Sequence, residues 1–533
     1  MNLNRYLWTV RYLKPIQIIY QLRYRFLGYK NVEVKTNYHL APRFYISSCY
    51  LDEDDTYIDR FKVDELLNNH IWLLNDMEEW MPGRWKYPSR THLWNFNLHY
   101  FEYGIALAAI YKKTGNYDYY LKLTQMYRDW HKTCFDSKTG DAWHPYTISL
   151  RLKNLLIILD TLDDKKEEWI EIVGNDIYQQ FQFLKHNKEK NLLGNHYFEN
   201  LVTLYICSAF FQEDSYKEYI LKELIGQINE QLLEDGMHFE RSFMYHNLIF
   251  EDLIRIYKVS KDVLRNILLD KMQAMADCIF SFENSNRIPA FNDAASNVAK
   301  TSVQLLRAAN SIAGIVPQYK TRLDYGGYFK LANGSFNVIV DAGDYAPSYI
   351  SGHGHCDMMS FELFFMDEPI LINAGTYQYQ SGHRVFFRST KSHNTIQVDG
   401  VDQSEIWGEH RTGRRAIIQE KKIADNSIYI KMLDYKRNRL ERKILIDNGV
   451  VINDSASSQY TSYWHIYPTN HISVIDDNEI EIVTDRGTRI IMVAENGKFK
   501  NITNESWYSE EMGEIQNLPS FATDARTVKI LKA

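Results

Sequence analysis

Residues 97–133, NLHYFEYGIALAAIYKKTGNYDYYLKLTQMYRDWHKT, read as two amphipathic helices separated at Thr114-Gly115-Asn116. Apolar residues return every three or four positions in each half, the spacing of one helical face, and the Gly-Asn break supplies a stop and a start. Further pairs begin near Tyr146, Asn195 and Ser242, at intervals of 47 to 49 residues. A period of that length predicts stacked helix hairpins over residues 56–318, as an open solenoid or a closed α/α toroid. The openings of the leading helices are polar and aromatic: Asn97 and His99; His144, Tyr146 and Arg151; Asn195 and His196; Tyr245 and His246. An open solenoid gives these residues no reason to converge, whereas a closed ring lines one mouth with them.

From about Tyr319 the pattern changes to short β-branched and aromatic runs, such as YFKLANGSFNVIVDAGD (328–344) and ERKILIDNGVVINDSA (441–456). Asn333-Gly334 and Asn448-Gly449 are hairpin signals, because both central residues of the favoured two-residue turn need positive φ. Many short strands at this spacing predict an antiparallel β-sandwich over 319–533. The chain is thus read as a multidomain α+β protein: an arm with leading helices over 1–55, a helical domain, then the sandwich, with the second break between about 312 and 325.

Composition narrows the function. The chain has 533 residues, enough for two or three cores, and its formal net charge of −7 argues against a nucleic-acid footprint and disfavours a very highly sulfated ligand. The five cysteines are scattered without paired metal spacing and read as reduced core thiols. No run approaches the ~20 apolar residues of a membrane span. The first thirty residues carry cations throughout, with apolar runs too short for a secretory signal, and read as an amphipathic arm able to touch a membrane. The expected location is the cytoplasm, with the periplasm or cell envelope as the alternative. Aromatic residues reach 14%, with 38 Tyr and 11 Trp, whose flat faces and polar tips suit sugar rings.

Two polar sets stand out: Asn195-His196 and Tyr245-His246 among the helices, and His353-Gly-His355-Cys-Asp357, Asn373 and His393 among the strands. Together they suggest a site built between domains. On a strand, His353 and His355 point to one face and can share a metal; His393 is a further donor toward the three or four that zinc needs. Each also has a plain structural reading, as a helix cap, a core tyrosine or a satisfied histidine.

GHGHCDMMSFELFFMDEPILINAGTY (352–377) and FFRSTKSHNTIQVDGVDQSEIWGEHRTGRRA (386–416) resemble the heparinase II/III-like polysaccharide lyases. FNLHYFEY (96–103), HPYTISLRLKN (144–154), GNHYFENLVTLY (194–205) and DGMHFERSFMYH (235–246) are similar to the helical part of heparinase III-like and alginate lyase-like members. The resemblance implies an incomplete (α/α) toroid packed on an antiparallel β-sandwich, with the cleft between them, and β-elimination at a uronic-acid glycosidic bond in an acidic polysaccharide. It implies that Asn195 and His196 hold the substrate carboxylate, that Tyr245 protonates the leaving oxygen and that His353 is the catalytic histidine. It places a structural zinc at His355, Asn373 and His393. Asn373 stands where members carry Asp, and a neutral amide holds zinc more weakly than a carboxylate.

The chemistry fits those residue types. Removing the C5 proton of a uronate adds charge beside a carboxylate, so donors directed at that carboxylate stabilise the transition state. Tyr245 is expected to be the acid, with a lowered pKa if it also serves as base. A histidine on the opposite face, His353, is the other candidate base. Arg151, His99, His246, Tyr377 and Arg388 are the expected substrate-binding residues. Two alternatives remain at this level: a glycoside hydrolase using two of Glu199, Asp235, Glu240 and Asp293, and a non-catalytic glycan-binding protein of capsule or exopolysaccharide assembly.

Overall fold

A computed structural model describes residues 3–32, 34, 38–41, 44–46, 57–138, 140–284 and 287–533. Cys49 lies outside them; Cys134, Cys207, Cys278 and Cys356 are buried free thiols. The helical part runs as hairpins: Glu102–Thr114 with Tyr117–Trp130, Pro145–Thr161 with Lys166–His186, Gly194–Phe210 with Asp214–Gln231, and Phe243–Val259 with Asp262–Phe282, before a last helix Ser302–Ala313. The leading helix of each pair packs on the leading helix of the next, and that of the fourth pair packs on Ser302–Ala313. These leading helices are buried around nearly their whole circumference: in Pro145–Thr161 only Tyr146 and Leu150 are not fully buried. The trailing helices keep one wet face.

The first leading helix differs from expectation. It is broken at Phe101, whose φ is 58°, so that His92–Tyr100 forms a separate helix. Phe101 is fully buried between Trp85, Tyr103, Tyr127 and Trp130, and this aromatic packing offsets a backbone conformation unfavourable for a residue with a Cβ.

Apart from one antiparallel hairpin, His70–Leu73 with Asp76–Glu79, the strands begin at Arg322. A five-stranded antiparallel sheet formed by consecutive strands covers 322–371, and an eight-stranded sheet holds 417–456, 471–495 and 527–532. Alternation is visible in Arg439–Ile446, where Leu440, Arg442, Ile444 and Ile446 point inward. Phe329, Val338 and Leu363 of the first sheet share one core with Ile430, Ile444, Ile452 and Ile480 of the second, which makes the pair a sandwich. Both Asn-Gly hairpins form: Tyr328–Ala332 pairs with Phe336–Asp341, and Arg439–Ile446 with Val450–Ala456. At the first, Gly334 takes a φ of +88°.

A separate apolar cluster joins the two halves. Met237, Phe243, Met244 and Tyr245 from the helices meet Tyr328, Ile339, Phe364 and Tyr379 from the sheet side. The cleft opens beside it.

Candidate active site

The cleft has a volume of about 250 Å³ and is lined from both halves of the molecule. Asn195, His196 and Tyr245 come from helix starts, His353 and Tyr379 from loops of the strand region, and His410 from a third segment.

Local sequence explains how each side chain arrives. Ser242 caps the helix Phe243–Val259 by accepting from the Tyr245 amide at 3.2 Å, and its hydroxyl donates to the Asp293 carbonyl. Gly194 opens the helix carrying Asn195 and His196 with a φ of +55°; a Cβ there would stand 2.3 Å from Ile350 Cδ1. Any other residue there would have to displace the end of Ile350 and hold a strained positive φ. His353 and His355 lie on a loop rather than on the strand expected, and they part company. His353 enters the cleft, whereas His355 turns inward, 2.8 Å from Asp293.

Tyr245 and His353 are stacked, with centroids 4.1 Å apart and planes 12° from parallel. The Tyr245 hydroxyl lies 3.0 Å from His353 Nε2 and 2.7 Å from the Tyr379 hydroxyl. His353 Nδ1 is 2.5 Å from Glu240 Oε2, and Glu240 Oε1 accepts from the Asn195 amide at 3.3 Å. Burial pushes the Glu240 carboxyl up, but the His353 imidazole, His238 and these hydrogen bonds more than offset it, leaving the group below its ordinary range. An ionised Glu240 holds the proton of His353 on Nδ1 and leaves Nε2 as the acceptor facing Tyr245. Contrary to expectation, Tyr245 is not a lowered-pKa tyrosine: burial, reinforced by Tyr379 and Asp293, pushes its phenol well above the usual value. At neutral pH it is a proton donor.

On the adjoining wall, His196 Nδ1 lies 2.9 Å from Glu189 Oε1, which orients the ring toward Tyr146 at a centroid distance of 4.3 Å. Asn195 Oδ1 is buried without a hydrogen-bond partner.

None of the five expected substrate-binding residues lines this cleft. Arg151 is fully buried; it bonds Gln180 and the carbonyls of His99 and Ala142 and stacks on Trp130, so its charge is spent inside the helical core. His99 accepts from Trp130 Nε1, stacks on Trp85 and is pushed down to about 3 by burial and by Arg151. His246 bonds the Met275 carbonyl in the core. Tyr377 packs near His383 and Phe387, while Tyr379, two residues on, reaches the cleft. Arg388 supports the His353 loop from beneath, donating to the carbonyls of Gly354 and Ser351 and to the Tyr345 hydroxyl. Arg384 acts similarly: it donates to the Gly352 carbonyl and makes a fully buried bidentate pair with Asp293.

The carboxylates of the hydrolase alternative are occupied. Asp293 serves Arg384 and His355, Glu240 serves His353, and Asp235 accepts from the Met237, Tyr325 and Gly326 amides. Glu199 lines the cleft but shares the Lys153 ammonium with Asp252, at 2.6 and 2.5 Å. Burial and Asp252 push Glu199 up to about 8.

The expected zinc residues gather in the interior. The His355 and His393 rings are 5.3 Å apart, and Asn373 Oδ1 accepts from the Asn394 amide beside them. His355 Nδ1 and both ring nitrogens of His393 are buried without hydrogen-bond partners. Such a set fits a nitrogen-loving cation, with Asp293 fixing the His355 ring from behind. Among the described residues there is no group of three or more His, Cys, Asp or Glu able to hold a metal, so any third donor here is the Asn373 amide.

Sequence reading missed Glu240 as a partner of His353, along with Tyr379, Glu189 and His410. Glu240 stands within the quoted DGMHFERSFMYH run, but nothing in spacing alone pairs it with a histidine 113 residues away.

Comparison with known proteins agrees with this architecture. A model described as heparinase II/III N-terminus matches residues 62–322, and one described as heparinase II/III-like, C-terminal, matches 316–528. A heparin-sulfate lyase of Bacteroides thetaiotaomicron is 20% identical over 483 residues, covering 78% of this chain and 66% of the relative. One from Pedobacter heparinus is 22% identical over 354 residues, covering 59% and 53% respectively. The chain thus spans no more than 66% of the length of these relatives. Among solved structures, a heparinase III superposes with a TM-score of 0.70 at 14% identity, covering 97% of this chain and 89% of that one. A heparan sulfate lyase from Pedobacter heparinus does so with a TM-score of 0.56 at 15% identity, covering 92% and 86%. The two family models meet in sequence where the helices give way to strands, and the chain belongs to the heparinase II/III family.

Proposed function

We propose that the protein is a polysaccharide lyase that cleaves a uronic-acid-containing glycan by β-elimination. The observation that carries this reading is the 3.0 Å contact between the Tyr245 hydroxyl and His353 Nε2. The heparin-sulfate lyase relatives support an acidic polysaccharide as the substrate class.

In this reading Asn195, through the N–H of its side-chain Nδ2, and His196 donate to the uronate carboxylate and stabilise charge as it builds there. His353 Nε2 removes the C5 proton while Glu240 stabilises the resulting imidazolium. The electron pair forms the C4–C5 double bond, the C4–O bond breaks, and the departing oxygen takes the Tyr245 proton. His353 then returns its proton to the Tyr245 phenolate across the same contact, restoring both groups. Tyr379 accepts or donates beside Tyr245 throughout and holds its hydroxyl in place.

The zinc of the resemblance would be held by His355, His393 and Asn373, and when bound it would cross-link the loops behind His353. Its role would be structural, with no part in proton transfer.

The test is near-ultraviolet absorbance during incubation with a panel of uronic-acid polysaccharides of graded sulfation. A rise that Tyr245→Phe abolishes supports the lyase and names the polymer. Binding without any rise, on every polymer, overturns it in favour of a glycan-binding role, and chain scission without a double bond favours a hydrolase.

A further inference from the structure

The helix Pro15–Leu27 is amphipathic in the inverted sense. Its polar side faces the protein: Gln17 is 2% exposed and its amide donates to the carbonyls of Leu192 and Tyr349, while the Tyr24 hydroxyl donates to the Lys188 carbonyl. Its apolar side faces outward. Ile19, Leu22 and Phe26, spaced i, i+3, i+7, are 58%, 51% and 75% exposed. Ile18 and Leu27 extend the patch, and the preceding helix Leu3–Arg11 exposes Leu3, Leu7 and Val10 at the same kind of spacing. Single exposed apolar residues need no explanation, but a helix that turns its apolar stripe away from the core does.

Charge identifies what covers it. Residues 1–30 contain Arg5, Arg11, Lys14, Arg23, Arg25 and Lys30 and no Asp or Glu, in a chain whose net charge is −7. Arg11, Arg25 and Lys30 are exposed, and Arg25 sits between Leu22 and Phe26. A second copy of this surface would set cations against cations. An anionic bilayer satisfies both features, because it takes up an apolar stripe at the acyl boundary and attracts the flanking arginines. Trp8, Tyr12 and Tyr20 belong to the same segment and are residue types suited to the headgroup level. At thirteen residues the helix is too short to span a bilayer, which takes about 20. Among the described residues, no helix is long and apolar enough to cross one.

We propose that the two helices over residues 3–27 form an interfacial anchor that lays their outward apolar face on an anionic membrane. The arm is fastened to the body by Lys14 with Glu230, Arg5 with Glu405 and Gln17 with the segment leading to Asn195. Docking on lipid therefore uses a surface already held in place.

The test is flotation of the full chain with vesicles of phosphatidylcholine alone and of equimolar phosphatidylcholine and phosphatidylglycerol. The chain is expected to float with the anionic vesicles only, and less at high salt. Ile19→Glu with Phe26→Glu should lower binding at least tenfold, and Arg25→Glu about thirtyfold, the cost of losing one basic contact and setting one acidic group against an anionic surface. Both variants should melt with the parent, since the substituted side chains face outward; Arg25→Glu and the salt dependence of the parent keep the test valid if the double variant folds poorly. Absence of flotation at low salt, or unchanged flotation of the double variant, overturns the proposal. So does lipid-free association of the parent with itself or another protein that the double variant abolishes.

Discussion

Glu240 Oε2 lies 2.5 Å from His353 Nδ1, joining a residue of the helical part to one of the strand part across 113 positions of sequence. The pair selects the tautomer in which Nε2 is free to accept. Glu240→Gln leaves the shape but removes the anion that stabilises a protonated ring. The expected result is a fall in kcat of about 10²–10⁴-fold with KM little changed, measured as initial rates of product absorbance.

Tyr245→Phe keeps the ring stacked on His353 and removes only the hydroxyl. Turnover should fall by about 10²–10⁴-fold, while melting shifts by no more than a few degrees, because a buried hydroxyl bonded to Tyr379 contributes about 1 kcal/mol. Parallel rate and thermal-melt measurements separate the two effects.

Glu199 predicts a pH dependence of stability. Its carboxyl, ordinarily near 4.5, is pushed up to about 8 by burial and by Asp252. The folded state thus holds a proton the unfolded state releases. The stabilisation is full below the ordinary carboxylate range and is lost as pH rises through about 8. The melting temperature of the parent should therefore fall between about pH 5 and 8 more steeply than that of Glu199→Gln, and the difference should level off above that range.

Arg384→Met leaves the fully buried Asp293 carboxylate without its cation, with only His355 and Thr376 beside it, and should cost about 3 kcal/mol of stability. Adding Asp293→Asn should recover part of that loss. Denaturant unfolding of the two single variants and the double gives the coupling directly.

For the interior histidines, metal analysis is the readout. If His355, His393 and Asn373 hold zinc, the purified protein should carry close to one equivalent and His393→Ala should carry none, with a lower melting temperature. Chelation of the parent should lower its melting temperature in the same direction.

The helix hairpins were legible because buried leading helices such as Pro145–Thr161 repeat at a near-constant spacing, and the strands because Asn333-Gly334 and Asn448-Gly449 mark their turns. Asn195, His196 and Tyr245 were found at helix starts and His353 in a motif expected on a strand, and the structure brings all four to one cleft. What failed was the inference that every polar residue near a helix opening faces that cleft. Arg151 and His99 turn instead into the aromatic core around Trp130, a choice made by rotation about the helix axis that one sequence does not express. Tyr377 and Tyr379 show the same limit in extended chain, where a shift of two residues decides which ring reaches the cleft.

The His353 loop is gripped from behind, by Arg384 and Arg388 acting on the carbonyls of Gly352, Ser351 and Gly354. In the proposed function, the histidine that moves the proton is thereby held by contacts separate from the elements that would meet the glycan. Side chains on the cleft wall, such as Leu93, Phe96 and Gln380, can be exchanged without loosening the histidine. If the protein acts as proposed, that separation makes the cleft open to redesign for other glycans, with Tyr245 and His353 carried over intact.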